Sequence, residues 1–205
     1  MDKLTESTIT HKGAKPSFAT PLPAPFAAAV YTAKKGGRAG LSRFVDTLKK
    51  SNVRVGGLLQ EKIPMDQDGM LRVEAVDIVT GKRIPINQPT AETWRNRVCS
   101  LDVSALAETT ATLRQAIRDR VDLMVVEKFG DAERDGEGLT DEIFQAIAEG
   151  IAVVIAVPDS NLDIWNERCG GMGDVLDCNE EELRSWWASV QSKNRGSAAA
   201  PPHSE

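Results

Sequence analysis

The stretch that decides the fold is VDLMVVEKFG, Val121 to Gly130. It is an almost unbroken apolar run that stops at an acid, a base, an aromatic residue and a glycine. In open α/β proteins a strand buried on both faces reads as such a run, and ligands sit just beyond the carboxyl ends of these strands. Glu127 and Lys128 therefore fall where chemistry is expected. The helix before this strand is predicted from LDVSALAETTATLRQAIRD, which opens at Asp102 as a cap and repeats Leu106, Thr110, Leu113 and Ile117 on one face.

Working outward, strand and helix alternate. Phe26–Thr32 is a short apolar run followed by glycines. Next comes a helical segment in which Leu41, Phe44, Val45 and Leu48 form one stripe. Val53–Gln60 reads as a second strand. The segment after it differs in kind: Asp68-Gly69 and Thr80-Gly81 are turn signals around MLRVEAVDIV, and residues 60–87 read as an antiparallel hairpin or meander appended to a parallel sheet. Past Gly130, DAERDGEG reads as an acidic, mobile glycine loop over the cleft. A helix capped by Thr140 follows, with Leu139, Ile143 and Ile147 inward and Gly150 as its stop. Ile151–Val157 is another buried strand. The last helix has a capping box at Asn179 and Glu182 and a heavy stripe of Leu183, Trp186, Trp187 and Val190, which reads as packing onto the sheet. The order strand, helix, strand, hairpin, helix, strand, helix, strand, helix predicts a three-layer, mostly parallel α/β fold.

Composition bounds the rest. The chain has 205 residues, 41% hydrophobic and 27% charged, enough for one well-cored domain with room for tails. Residues 1–25 are polar and then proline-rich, and residues 193–205 end in GSAAAPPHSE. Both are predicted to be disordered tails around a single domain of residues 26–192. No apolar run approaches the roughly 18 residues that span a bilayer. No apolar segment follows the N-terminal lysine as a secretory signal requires, so a cytoplasmic protein without membrane insertion is expected. Cys99, Cys169 and Cys178 form no CxxC pair, which suits reduced thiols. A net charge of −5 argues against a nucleic-acid partner. The two histidines, His11 and His203, lie in the predicted tails, leaving acid, base and cation roles to Asp, Glu, Lys and Arg.

Four constellations carry chemistry. The first is AKKGGRAGLSRF, where Lys34, Lys35, Gly36, Gly37, Arg38, Gly40 and Ser42 make a basic glycine loop at a helix start. Backbone N–H groups in such a loop close on an anion. As a phosphate-binding loop it is degenerate, because Leu41 stands where GxxxxGK[ST] has its lysine, and a solvated turn is the competing reading. The second is the strand end itself, where Glu127 sits as a magnesium carboxylate would. Lys128 takes the place of a water-positioning acid and is suited to neutralise a bound anion; a salt bridge at the strand end is the alternative. The third, DAERDGEGLTDE, nearly matches a calcium loop at Asp131, Glu133, Asp135, Gly136 and Glu142, but it follows a strand and carries glycine at an apolar position, which favours an acidic rim instead. In that rim Asp131, Glu133 or Glu137 would close over the cleft. The fourth, CGGMGD at Cys169–Asp174, reads as a turn.

These residues resemble a known group. VRVGGLLQ followed by AVDIVTGKRIPI is similar to the second strand and hairpin of the small nucleoside triphosphatases known from thermophiles, a branch of the P-loop proteins. CSLDVSALAETTATLRQAI, VVEKFGDAE and GEGLTDEI more closely resemble an uncharacterised bacterial family related to them and often met beside molybdate-transport genes. The likeness spans roughly Phe26 to Trp187. It implies a P-loop NTPase fold with a phosphate loop at Lys35–Ser42, a magnesium carboxylate at Glu127, the catalytic-acid position at Lys128 and a further acid at Glu133. The bacterial family carries Asn-Lys-Phe-Gly at the strand end, matched by Lys128, Phe129 and Gly130 and not by Glu127.

The sequence therefore predicts a degenerate P-loop-derived domain that binds an anionic small ligand, a nucleotide with Mg2+ or an oxyanion such as molybdate, without efficient hydrolysis. The anion would meet Lys34, Lys35, Gly36, Gly37, Arg38, Gly40, Ser42, Lys128 and Gly130. Two alternatives are a true triphosphatase using Lys34 or Lys35 with Glu133 as base and Glu127 on the metal, and a regulatory subunit with an empty cleft. In the regulatory case the proline-rich segment and the Trp186–Trp187 helix would face a protein partner or a second copy.

Overall fold

A computed structural model describes residues 24–32, 39–65, 69–87, 89–96 and 103–198. Lys34, Lys35, Gly36, Gly37 and Arg38, the Asp68 turn residue, the expected Asp102 cap, Cys99, both histidines, and residues 1–23 and 199–205 of the expected tails lie outside the described residues.

The described chain runs β1 (Phe26–Tyr31), α1 (Ala39–Lys50), β2 (Val55–Pro64), β3 (Leu71–Asp77), β4 (Arg83–Asn87), α2 (Ala91–Arg95), α3 (Val103–Arg118) and β5 (Leu123–Glu127). It continues as α4 (Asp131–Arg134), α5 (Thr140–Ala148), β6 (Ala152–Pro158), a 3-10 turn (Asp159–Asn161), α6 (Leu162–Arg168), β7 (Asp174–Asp177) and α7 (Glu180–Ala198). One sheet orders the strands β4-β3-β2-β5-β6-β1-β7. β2, β5, β6, β1 and β7 are parallel, and β3 and β4 are antiparallel. This is the predicted three-layer α/β fold of P-loop NTPase type with an inserted meander.

The opening strand stops at Glu127, with every residue from Leu123 to Glu127 buried. Strand alternation divides the core into two faces. Phe26 and Ala28 of β1, Met124 and Val126 of β5, and Val153, Ile155 and Val157 of β6 join the cluster with Leu113 and Ile117 of α3, Ile143 and Ile147 of α5, and Trp165 of α6. Ala27, Ala29, Leu123, Val125, Ala152, Val154 and Ala156 join the opposite cluster with Leu41, Phe44, Val45 and Leu48 of α1 and Leu183, Trp186, Trp187 and Val190 of α7. The second face is alanine-rich where two tryptophans arrive, so large helix side chains fill what small strand side chains leave.

β2 is long, and its two halves do different things. Val55–Leu58 pairs with β5, while residues 59–64 pair only with β3. The meander thus stands beyond the carboxyl edge of the parallel strands and walls off one side of it.

Several local expectations are corrected. The acidic loop is not a loop throughout: Asp131–Arg134 is a helical turn, with Glu133 and Asp131 in a first turn that favours carboxylates. Thr140 is the first residue of α5 rather than its cap, because its hydroxyl donates to the Glu137 carbonyl at 2.7 Å. On α3 it is Thr109, not Thr110, that is buried. α7 continues to Ala198, past the point where a tail was expected. CGGMGD leads into β7, an edge strand on β1 that escaped notice because only Val175 and Leu176 are apolar and the strand is largely exposed. α2, α4 and α6 are too short to show a period. Trp186 and Trp187 are buried at 6% and 7% exposure, so that helix face is core and not a partner surface.

Candidate functional site

A cleft of about 800 Å3 opens at the carboxyl ends of the parallel strands. Tyr31 and Thr32 line it from the end of β1, Glu127 and Lys128 from β5, and Pro158 and Asp159 from β6. Leu58, Gln60 and Lys62 of β2, Val73 and Ala75 of β3, and Ile86 and Asn87 of β4 form the meander wall, with Leu106 and Thr109 of α3 behind it. The opening stretch therefore ends where a ligand sits in open α/β folds.

Its four last residues divide the work. Glu127 is 3% exposed and accepts a hydrogen bond from the Gln60 amide at 2.9 Å. The β2–β5 ladder has run out by then, and the carboxylate takes the next β2 amide in place of a backbone carbonyl. The Glu127–Lys128 peptide is cis. Lys128 is half-buried and lines the cleft, and it makes no hydrogen bond or ion pair with any of the described residues. Phe129 turns away into the core, with no exposure, its ring edge-on to Trp165 at 5.3 Å. The amide of Gly130 donates to Glu133 Oε2 at 2.8 Å.

Glu133 also lines the cleft, but its carboxylate is committed. Oε1 accepts from the Leu139 amide at 3.1 Å while Oε2 holds Gly130, so one side chain ties both ends of the β5–α5 connection together. Gly138 makes room for it: φ is +64°, and a Cβ there would stand 2.2 Å from Glu133 Oε1. Each oxygen thus spends one acceptor site on the loop, and the geometry supports a loop-holding role for Glu133. Gly130 lines the cleft as well, and its amide is occupied by Glu133.

The other acids disperse. Asp131 pairs with Arg134 at 3.2 Å, and Arg134 also sits 3.0 Å from Asp135, holding that carboxyl below the usual range through hydrogen bonding and charge. Glu142 is 3% exposed and bound to Arg114 at 2.9 Å, linking α5 to α3. The calcium-like spacing is thus not a calcium site. Glu137 does not line the cleft, although Asp131 does.

Of the expected anion loop, the described members Gly40 and Ser42 do not line the cleft. Gly40 has a packing reason: a Cβ would come within 2.6 Å of the Cys178 carbonyl oxygen and 2.8 Å of Asn179 Cα, where α1 crosses the start of α7. Lys34, Lys35, Gly36, Gly37 and Arg38 lie outside the described residues. In the sequence they fall between Thr32, which lines the cleft, and Ala39, which begins α1.

Sequence reasoning missed Asp159, Gln60, Lys62, Asn87 and Thr109. Asp159 was findable, since IAVVIAVPD is a second apolar strand ending in an acid and obeys the rule applied to β5. Lys62 makes no ion pair with the described residues either. The thiol of Cys169, 3% exposed at the end of α6, is pushed up to about 11 by burial and stands apart from the cleft.

Among the described residues no group of three or more His, Cys, Asp or Glu could hold a metal, and no helix is long and apolar enough to cross a membrane. Glu127 offers a single carboxylate at the cleft floor. That donor set fits a magnesium ion which keeps most of its water and is carried by phosphates, and does not fit a cation enclosed by protein.

A family model described as a protein of unknown function, DUF2478, matches residues 26–186. The Bradyrhizobium diazoefficiens protein described as molybdenum import ATP-binding protein ModC 2 is 35% identical over 153 residues, 75% of this chain. The chain covers 17% of that protein's length.

Proposed function

The chain belongs to the DUF2478 family, and on that premise and the chemistry of the cleft we propose that it binds an anionic small ligand, a nucleotide or an oxyanion such as molybdate, without efficient hydrolysis. One observation carries this reading. Lys128 is a cation without a hydrogen-bond or ion-pair partner among the described residues, held half-buried at the carboxyl end of a central strand, where it is placed to meet an anion. The basic loop residues Lys34, Lys35 and Arg38 add charge next to Thr32 in sequence. The kinship with a much longer molybdenum-import ATP-binding protein supports both ligand classes.

Weak hydrolysis follows from what surrounds the floor. A lysine replaces the acid that would position water, Glu127 is bonded to Gln60, and Glu133 is bonded to two amides. Magnesium would enter with a nucleotide's phosphates and meet Glu127.

Thermal unfolding with magnesium nucleotides, and separately with molybdate, tungstate and sulfate, tests the reading. A ligand at a hundred times its dissociation constant adds about 2.7 kcal/mol, on the order of 5 to 10 °C for a domain of this size. Lys128→Ala is expected to weaken the active ligand at least several-fold by calorimetric titration with the fold intact. An unchanged dissociation constant removes Lys128 from the site, and brisk magnesium-dependent phosphate release that disappears in Glu133→Gln overturns the claim of weak hydrolysis.

A further inference from the structure

We infer that the inserted meander reads the organic part of the ligand, so that the cleft selects an anion carried on a flat heterocycle, of the nucleotide class, over a bare tetrahedral oxyanion. This rests on the anion-binding reading above and narrows it. The cleft has two unlike ends. At the strand ends it presents Lys128, Glu127 and Asp159; on the meander side it presents mainly apolar positions, of which Val73, Ile86 and Leu106 remain partly exposed, with Gln60 and Lys62 at their edge on β2.

The apolar wall is a built surface. The two faces of the same three strands have opposite character. On the outer face Arg83 binds Glu74 at 2.6 Å and also Glu61, and Arg72 binds Glu74 at 2.7 Å. The inner face carries none of these ion pairs, and among the described residues the one charged meander residue that lines the cleft is Lys62, opposite Val73. It packs in part against α3, and what α3 leaves uncovered looks into the cleft.

A cleft of about 800 Å3 lies inside the range of roughly 300 to 1,000 Å3 typical of sites for drug-sized ligands, which are mostly apolar with a few placed polar groups. A tetrahedral oxyanion on Lys128 would leave the meander wall wet and most of the volume unused. A phosphate tethered to a heterocycle fills both ends.

The test titrates the full chain with ATP, GTP, inorganic tripolyphosphate and molybdate, each with and without magnesium. At least one nucleotide is expected to bind about tenfold or more tightly than tripolyphosphate and molybdate, because apolar contact adds to the shared charge. Ile86→Asn is expected to erase that preference while leaving tripolyphosphate affinity unchanged; Lys128→Ala is expected to weaken nucleotide and tripolyphosphate alike. Ile86→Ala, checked by urea unfolding, serves if the asparagine variant does not fold, and is expected to lower the preference in the same direction. Tripolyphosphate or molybdate binding as tightly as every nucleotide overturns this inference and leaves anion binding standing. A nucleotide preference untouched in a folded Ile86 variant also overturns it. No binding of any of the four overturns both.

Discussion

The two faces of the sheet are built from the same strands and end differently. Under α1 and α7 the alanine-rich face is closed by Phe44, Trp186 and Trp187. Under α3, α5 and α6 the face is equally dry at its centre, where Trp165 meets Phe26, Phe129 and Phe144 at 6.2, 5.3 and 6.0 Å, yet it gapes at the carboxyl end. The difference lies in the cover. Helices seal one face, while on the other a meander projects past the parallel strands and encloses space instead of filling it. Lys128, unpaired among the described residues, stands in that space and Phe129, its neighbour, in the packed part. Lys128 is thereby joined to the packed core through one peptide bond, a link that the sealed face lacks among the described residues.

The largest expected effects test that coupling. Trp165→Ala and Trp187→Ala should each cost about 3 to 5 kcal/mol in urea unfolding, since both remove a buried indole from a close-packed cluster. Only Trp165→Ala should also weaken anion binding at a temperature where both variants are folded, because Phe129 loses the ring that fixes it beside Lys128. Equal binding by the two variants would break the comparison.

A smaller effect is expected at Glu133. Glu133→Gln keeps the shape and loses the charge that holds two amides, one of which must then face an NH2 group, costing about 1 to 3 kcal/mol. Hydrogen exchange at Gly130 and Leu139 should accelerate, and the connection between β5 and α5 should loosen while the sealed face is unchanged. Unchanged exchange at both amides would mean the carboxylate is not what holds the loop.

Much of this was legible in the residues. Strands buried on both faces announce themselves as apolar runs, so β1, β5 and β6 could be read, and the amphipathic stripes of α1 and α7 named their buried residues. The meander was legible because its turns carry Asp-Gly and Thr-Gly. β7 was not, because an exposed edge strand has no need of an apolar run. The position of Glu127 and Lys128 at the cleft was legible from the rule for strand ends. The part played by Glu133 was not, since two hydrogen bonds to amides nine residues apart depend on a turn at Gly138 that spacing alone does not reveal. Nor was the meander wall, because alternation shows that a strand has two faces and not which of them lines a cleft.

The smallest effect asks how far the opening reaches. Cys169 closes α6 beneath Trp165, on the open face but away from the cleft, and burial pushes its thiol from 9.0 up to about 11. The unfolded chain gives up this proton near the ordinary value, whereas the folded chain holds it, so the folded form binds the proton more tightly. The thiol's contribution to stability is therefore intact below pH 9.0 and is lost as pH rises toward about 11, at no more than about 1.4 kcal/mol per pH unit. Urea unfolding of the native chain and of Cys169→Ala across that interval isolates the slope, because every other ionisable group is common to both. A steeper loss in the native chain would show that the open face is dry up to α6 and open only at the strand ends. Parallel curves would show that water reaches the thiol, and the boundary of the cleft would then lie deeper in the fold than Phe129.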